Sequence, residues 1–317
     1  MRQFPRNGNN GVTLLVSDDL FPCFDEQWVD TPNGRMCARV GGSGPPVVML
    51  HGFPQTHACW HKIAPAIAQT HRVVCLDLRG YGRSSTPPPS DGHATYAKRA
   101  LGQDVIAVME KLGHERFAVV GHDRGGRVGY RLALDHPNLV ERLALLDILP
   151  TFHVWQKIEA GVFPAAHWEF LARAYPEPEK EMAVDPLPFF DGLFKKWTGD
   201  GSLDGFDPRA FADYRRMYRD PAHIRAFCED YRAGATLDRQ ADEQDIADGK
   251  SISCPVLIVS GGFYLTRPRP GEQTTLDVWR STFAPQASGT HVESGHFLAE
   301  ENPADTLAAL SAFLEAA

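Results

Sequence analysis

Short apolar runs alternate with stretches of helical periodicity along most of the chain. Residues 24–41 predict two strands joined at the turn Pro32-Asn33-Gly34. Further strands are expected within 46–53, 72–82, 117–126, 141–150, 254–262 and 289–296. Helices are expected between them, at 57–69, 96–113, 126–137, 274–282 and from Pro303 onward. Because near-continuous apolar strands alternate with helices, we expect an α/β fold with a mostly parallel, doubly wound sheet covered on both faces.

This alternation is interrupted in the middle of the chain. Residues 149–250 hold 16 of the 32 aromatic side chains and contain no segment with convincing strand periodicity. We therefore expect a helical cap domain at 149–250, inserted into a core domain formed by 1–148 and 251–317. Since both parts of the core contribute strands to one sheet, the insertion is expected to lie over the strand tips.

Composition and charge narrow the range of functions. The 317 residues are 43% apolar and 23% charged, which is typical of a globular protein. With 32 basic and 40 acidic side chains the net charge is −8, which argues against nucleic acid or an anionic membrane surface as a partner. No apolar run is long enough to span a membrane, and the polar arm at 1–20 lacks the apolar core of a signal peptide.

The six cysteines lie far apart, with no C-x-x-C motif and no spacing typical of a metal site. They are best interpreted as reduced, mostly buried thiols of a cytoplasmic protein. We expect neither a metal nor another cofactor.

One glycine-rich turn carries the strongest chemical signal. Residues 121–126, GHDRGG, follow an apolar strand and precede a helix, which is the setting of the G-x-S-x-G nucleophile elbow. Asp123 occupies the position at which serine is usual. The alternative is a turn in which Asp123 merely caps the following helix. Three further segments favour the elbow.

These segments supply the other parts of a hydrolytic site. The strand tip HGFP at 51–54 predicts an oxyanion hole formed by the backbone N–H groups of Phe53 and Arg124. His296 follows the last predicted strand, where the general base of this architecture is expected. Asp147 ends an earlier strand and is the candidate acid that orients His296, because no carboxylate follows the 254–262 strand before Glu272. The alternative for Asp147 is an ordinary strand-terminal aspartate.

Together these motifs resemble the α/β-hydrolase superfamily from about residue 24 to the end of the chain. An aspartate in the elbow is typical of members that displace a leaving group from saturated carbon and form an ester on the enzyme. The resemblance implies that water activated by His296 hydrolyses this ester. Haloalkane dehalogenases, epoxide hydrolases and haloacid dehalogenases of this fold are therefore favoured over peptidases and lipases.

Two arginines narrow the substrate class. Arg124 and Arg127 share one face of the helix that follows Asp123. Two planar guanidinium groups beside a nucleophile are suited to bind the carboxylate of a substrate. The alternatives are a salt bridge to Asp123 or to the cap, and exposure to solvent. The motif GHDRGGR is similar to that of the fluoroacetate dehalogenases. That resemblance implies that three donors in the insertion bind the departing halide: His167, Trp168 and Tyr231. Aromatic side chains at these positions could instead be ordinary core.

The sequence therefore predicts a cofactor-independent dehalogenase of short 2-haloacids, with fluoroacetate as the favoured substrate. One alternative is an epoxide hydrolase, for which Tyr214, Tyr218 and Tyr231 are candidate acids. Another is a non-catalytic protein of the same fold that binds a small carboxylate. The loop at 263–272 departs from the family pattern. A small anionic substrate is the expected partner, and a homodimer the expected assembly.

Overall fold

The computed structural model describes residues 19–162, 166–262 and 271–316. These residues form a single mixed sheet of eight strands in the order β1-β2-β4-β3-β5-β6-β7-β8. The strands are β1 Phe24–Thr31, β2 Gly34–Gly41, β3 Pro46–Leu50, β4 Arg72–Leu76, β5 Phe117–His122, β6 Val140–Leu146, β7 Val256–Ser260 and β8 Ser288–His291. Strand β2 is antiparallel to β1 and β4, and all other neighbours are parallel. The prediction of a mostly parallel sheet is thus confirmed.

Helices cover the sheet because its central strands are apolar on both faces. All six residues of β5 are buried, as are the last four of β3 and of β4. Such strands need a packed layer on each side. The helices are α1 Ala64–Ile67, α2 Lys98–Lys111, α3 Asp123–Asp135, α4 Thr151–Glu159, α5 Ala166–Leu171, α6 Glu177–Val184, α7 Pro186–Trp197, α8 Pro208–Met217, α9 Pro221–Ala233, α10 Arg239–Ala247, α11 Thr275–Thr282, α12 Leu298–Glu301 and α13 Pro303–Glu315. None of the helices in the described ranges is long and apolar enough to cross a membrane.

Helices α4 to α10 lie between β6 and β7 in the chain. The described part of 149–250 forms helices and turns and contributes no strand to the sheet. Its aromatic side chains pack on the carboxyl ends of the strands: the ring of Phe227 lies 5.4 Å from that of Phe53, and Phe194 lies 4.7 Å from Phe297. The insertion therefore covers the edge at which β3, β5, β6 and β7 end. The domain boundaries themselves stay a prediction.

One predicted helix differs in the structure. The helix expected at 57–69 is a 3₁₀ turn, His57–Trp60, followed by the single turn of α1. Pro65 explains the break, because proline lacks an N–H and its ring clashes with the carbonyl four residues earlier. The strand expected within 289–296 is β8, which ends at His291. Beyond it the chain turns to the insertion, where the N–H of His296 donates to the Trp197 carbonyl at 2.8 Å. Most of the N-terminal arm and of the 263–272 loop lies outside the described residues.

Candidate active site

The glycine-rich turn brings Asp123 to the end of the sheet. Strand β5 ends at His122 and α3 begins at Asp123, whose φ of 42° lies in the left-handed region. Backbone strain of this kind persists only where the surrounding structure enforces it. Gly125 is part of that surrounding, because a Cβ atom there would lie 2.2 Å from the carbonyl oxygen of Leu50. The tight approach of α3 to β3 thus holds the Asp123 carboxylate at the helix N-terminus.

The loop after β3 closes over this carboxylate. The backbone N–H of Phe53 donates to Asp123 Oδ1 at 3.0 Å. A Cβ atom on Gly52 would lie 2.4 Å from the Cβ of Asp123, so only glycine permits this contact. The N–H of Arg124 lies in the first turn of α3, where backbone donors have no partner within the helix. The two backbone groups expected to form the oxyanion hole therefore flank Asp123.

Asp147 and His296 meet beside Asp123. The Nδ1 atom of His296 lies 2.6 Å from Asp147 Oδ2, and its Nε2 atom lies 3.9 Å from Asp123 Oδ2. Asp147 directly follows β6 with a φ of 51°, and its Oδ1 accepts from the N–H of Gly261 at 2.9 Å. One carboxylate oxygen thus holds the strand tip while the other contacts the imidazole. The three side chains predicted from the sequence lie together.

The charges of this group determine its protonation states. Burial alone would raise the pKa of Asp123, but the positive charges of Arg124, His296 and Arg127 hold it well below its ordinary value. Burial alone would lower the pKa of His296, but its hydrogen bond to Asp147 and the two nearby carboxylates raise it above 6.5. Asp123 is therefore an ionised carboxylate, and His296 gains a proton more readily than a free histidine.

The loop that carries His296 is tied to the insertion by a second carboxylate. Glu301 accepts three backbone N–H groups: those of Gly199 at 2.8 Å, Gly295 at 2.9 Å and Phe297 at 2.8 Å. Gly199 belongs to the insertion, whereas Gly295 and Phe297 flank His296. Glu301 therefore connects both sides of the site and adds a negative charge that raises the pKa of His296.

Arg124 is wholly buried against the insertion. Its guanidinium carbon lies 3.4 Å from the ring centroid of Tyr231 and 4.5 Å from that of Trp168. Its Nη1 atom lies 3.6 Å from Asp230 Oδ1, which is an ion-pair distance but too long for a hydrogen bond. Within the described residues, none of its three nitrogens has a hydrogen-bond acceptor. The guanidinium is therefore held by ring faces and charge, with its N–H groups available.

Arg127 is equally buried and reaches the same ring. Its guanidinium carbon lies 4.5 Å from the ring centroid of Trp168, so both arginines converge as their spacing predicts. Its Nη1 donates to the Leu149 carbonyl and to Thr151 Oγ1, both at 3.0 Å. Its Nε and Nη2 atoms have no acceptor in the described part of the chain. Burial and the neighbouring charge of Arg124 lower the pKa of Arg127, although the charge of Asp123 opposes this shift.

Three neutral donors face these charges from the insertion. The ring of His167 lies 5.8 Å from that of Tyr231, and the ring of Trp168 lies 5.6 Å from it. Burial and the charge of Arg124 hold the pKa of His167 well below 6.5, so its ring is neutral. Burial raises the pKa of Tyr231, so its hydroxyl keeps its proton. The structure thus brings His167, Trp168 and Tyr231 together.

The other two tyrosines considered in the sequence have different surroundings. The hydroxyl of Tyr218 donates to the carbonyl of Pro54 at 2.8 Å, and its ring stacks on Phe190. The ring of Tyr214 lies between Phe194 and Phe211. Of the three candidate acids of an epoxide hydrolase, Tyr231 is the one that contacts Arg124.

Several site residues were missed by the sequence argument. Asp230 accepts from the Tyr81 hydroxyl at 2.8 Å and forms an ion pair with Lys98. The same carboxylate lies at ion-pair distance from Arg124. Trp197 packs its ring 4.7 Å from that of His167. Only the position of Asp230 beside Tyr231 could have drawn attention to it. The others carry no local signal, because their partners are distant in the sequence.

The described residues form no recognisable metal site. No group of three or more His, Cys, Asp or Glu side chains there is arranged to hold a metal ion. The six cysteines are free thiols.

Comparison with known proteins agrees with this geometry. A family model for the alpha/beta hydrolase fold matches residues 45–263. Fluoroacetate dehalogenase from Burkholderia sp is 42% identical over 299 residues, which cover 93% of this chain and 95% of that protein. Soluble epoxide hydrolase from Corynebacterium sp. (strain C12) is 30% identical, with 85% of this chain and 90% of that protein covered.

A solved structure leads to the same family. ALR0039 from Nostoc sp PCC 7120, provisionally described as an alpha/beta hydrolase, superposes with a TM-score of 0.87 at 43% identity. The match covers 93% of this chain and 99% of that one. The chain belongs to the α/β-hydrolase family and is a homologue of fluoroacetate dehalogenase.

Proposed function

We propose that this protein is a hydrolytic dehalogenase of short 2-haloacids, with fluoroacetate as its favoured substrate. The observation that carries the proposal is the pair of buried guanidinium groups beside the ionised Asp123. Arg124 and Arg127 retain N–H groups without acceptors in the described residues. Buried N–H donors that have no acceptor are costly. A substrate carboxylate would accept from these N–H groups and hold the adjacent carbon against Asp123.

In the first step, Asp123 Oδ2 attacks the carbon that bears the halogen. Asp123 Oδ1 already accepts from the Phe53 N–H, so Oδ2 is the oxygen that is free to form the new bond. The carbon–halogen bond breaks, and its electron pair leaves with the halide. We propose that His167, Trp168 and Tyr231 donate hydrogen bonds to the halide. Their side chains carry no negative charge that would repel the anion as it develops.

In the second step, water hydrolyses the ester on Asp123. His296 Nε2 takes a proton from the water, whose oxygen attacks the Asp123 carbonyl carbon. The negative charge then develops on Oδ1, which already accepts from the N–H of Phe53. We propose that the N–H of Arg124 completes the oxyanion hole. Asp147 holds the imidazole in the orientation that directs Nε2 toward Asp123. The Cγ–Oδ2 bond then breaks, His296 donates its proton to the departing oxygen, and the 2-hydroxy acid leaves with that oxygen. The water oxygen stays in the Asp123 carboxyl group, which loses its remaining proton to solvent.

Two alternatives are tested by the same experiment. The epoxide hydrolase alternative draws on the 30% identical relative, but the hydroxyl of Tyr218 is engaged by a backbone carbonyl. The non-catalytic alternative leaves the meeting of Asp123, Asp147 and His296 without a purpose. We further propose a cytoplasmic location, from the free thiols, and a homodimeric assembly.

The test is halide release measured by ion chromatography with fluoroacetate and chloroacetate, in parallel with diol formation from styrene oxide. We expect glycolate and halide in equal amounts, no diol, and no turnover by Asp123→Ala. Diol formation without halide release would favour an epoxide hydrolase. The absence of both products, with measurable binding of glycolate, would favour a carboxylate-binding protein.

A further inference from the structure

A row of buried hydroxyl groups connects Arg127 to a carboxylate of the insertion. Arg127 Nη1 lies 3.0 Å from Thr151 Oγ1, and this oxygen lies 2.8 Å from the hydroxyl of Tyr130. The Tyr130 hydroxyl in turn lies 2.9 Å from Asp242 Oδ2. All four side chains are at most 1% exposed. None of them except Arg127 was singled out by the sequence.

The donors and acceptors of this row can be assigned from chemistry. A guanidinium only donates, so Thr151 Oγ1 accepts from Arg127. An ionised carboxylate only accepts, so the Tyr130 hydroxyl donates to Asp242. Each hydroxyl has one proton, and therefore the Thr151 hydroxyl donates to the Tyr130 oxygen. The row consequently runs in one direction, from the cation to the anion, with every hydroxyl proton used.

We propose that Asp242, acting through Tyr130 and Thr151, is a positioning residue that directs Arg127 toward the substrate carboxylate. This inference rests on the proposed function, because it assigns Arg127 to the substrate. The row engages Nη1, while Nε and Nη2 keep no acceptor among the described residues. One edge of the planar guanidinium is thereby held and the other is left for a bidentate contact.

The row also explains why the two arginines are held differently. Arg124 pairs directly with Asp230 across 3.6 Å. Among the described residues, Arg127 has no carboxylate at ion-pair distance, and the carboxylate in its hydrogen-bonded network is Asp242, two hydroxyls away. A chain of polarised hydroxyls conveys part of this charge without placing a carboxylate where it would compete with the substrate.

The same row joins three separate elements. Tyr130 lies on α3, Thr151 begins α4, and Asp242 lies on α10. Asp242 also accepts from the N–H of Phe152 at 3.1 Å, which ties the start of α4 to α10. Docking of the insertion therefore sets the orientation of Arg127. Burial raises the pKa of Asp242 to about 7, so the row is best tested at about pH 8, where the carboxylate is ionised.

The experiment compares four variants with chloroacetate, which carries a carboxylate, and with chloroacetamide, which does not. Tyr130→Phe, Thr151→Val and Asp242→Asn each interrupt the row, whereas Thr151→Ser keeps the hydroxyl. Matched controls are Tyr96→Phe, whose buried hydroxyl donates to the Pro87 carbonyl, and Thr306→Val in α13. Unfolding temperature is measured for every variant, so that lost stability is separated from altered binding.

We expect the interrupting variants to raise KM for chloroacetate about 3- to 10-fold with a smaller change in kcat. Chloroacetamide kinetics should stay within about twofold, Thr151→Ser should restore the wild-type KM, and the controls should alter neither substrate. In an Arg127→Ala background, Tyr130→Phe should add nothing, because the two changes interrupt one interaction.

Three outcomes would overturn the inference. If Tyr130→Phe lowers the unfolding temperature but leaves the ratio of the two KM values unchanged, the row is purely structural. If Tyr130→Phe has its full effect in the Arg127→Ala background, it does not act through Arg127. If Arg127→Ala itself leaves that ratio unchanged, the proposed carboxylate role of Arg127 falls, and the relay falls with it.

Discussion

The sheet side and the insertion side of the site differ in both charge and backbone. On the sheet side, Asp123 and Asp147 directly follow buried strands, with φ values of 42° and 51°. Both are carboxylates, and His296 between them has a raised pKa. On the insertion side, three rings that lie together beside Arg124 are on helices and are uncharged: His167, Trp168 and Tyr231. The insertion carboxylates Asp230 and Asp242 are connected to the arginines instead.

This difference follows from what each region can hold in place. The end of a buried strand is constrained by its neighbours on both sides, so it can support left-handed residues and buried charges at fixed separations. Helices of an inserted region are joined to the sheet by side-chain packing, and they supply donors without a competing charge. The strand ends therefore hold the charged groups that carry the proposed chemistry, whereas Asp230 and Asp242 of the insertion are connected to the arginines.

The largest effect of a substitution is expected on the sheet side. We expect His296→Asn to release about one halide per site and then stop, because the ester forms but water is not activated. Without the base, the enzyme is therefore expected to complete no second turnover. Mass spectrometry should find the substrate-derived adduct on the peptide that contains Asp123.

Asp123→Ala serves as the control for this experiment and should release no halide. Repeated turnover by His296→Asn, or an adduct on another peptide, would contradict the assignment of these two residues.

On the insertion side, Trp168→Phe removes one N–H and keeps most of the ring. A donor to a developing anion is worth about 2.7–4 kcal/mol, or about 10²–10³ in rate. Fluoride depends on hydrogen bonds more than chloride as it leaves. We therefore expect defluorination of fluoroacetate to fall far more than dechlorination of chloroacetate, with both rates measured by ion chromatography.

Trp60→Phe is the matched control, because it removes the same group from another fully buried indole. If Trp168→Phe slows both substrates in proportion and only lowers the unfolding temperature, Trp168 is core and the halide site is wrong.

A smaller effect is expected where the two regions meet. Arg127→Ala should raise KM for chloroacetate about 10- to 100-fold, since a hydrogen bond to a charged group contributes about 1.5–3 kcal/mol. Chloroacetamide should be a poor substrate of the wild type and nearly insensitive to the change. Steady-state kinetics with both compounds checks this, and equal use of acid and amide by the wild type would favour a haloalkane or epoxide substrate.

The smallest expected effect is a shift in the pH profile. His296 must be neutral to accept a proton from water, and its pKa is raised above 6.5. Ester hydrolysis should therefore fall as the pH drops through that raised pKa. Glu301→Gln removes one of the negative charges that raise the pKa of His296. The acid limb of the profile of kcat against pH should therefore move to lower pH, by less than about one unit.

Glu293→Gln provides the comparison, because it removes the same charge three positions before His296 in the chain, from a side chain that is 91% exposed and therefore screened by solvent. A limb that stays in place in Glu301→Gln would show that Glu301 acts only through the backbone of the loop.

Much of the sheet side was predictable because its signals are local. The apolar run before Asp123, the glycines around it and the strand that ends at Asp147 are all contiguous in the sequence. The single helix expected at 57–69 was wrong because Pro65 breaks it. On the insertion side, helical periodicity and aromatic content predicted helices but not which rings would face Asp123.

The order of the elements, the nucleophile elbow and the residue types that carry the chemistry could be predicted from the sequence alone. Each of these features is encoded by residues within a few positions of one another. Only the tertiary structure decided how the arginines are held. Asp230 is 106 positions from Arg124 and Asp242 is 115 positions from Arg127 in the chain, so no local pattern records either connection. Buried charges need partners wherever the fold can bring them, and the folded chain brings them from the insertion.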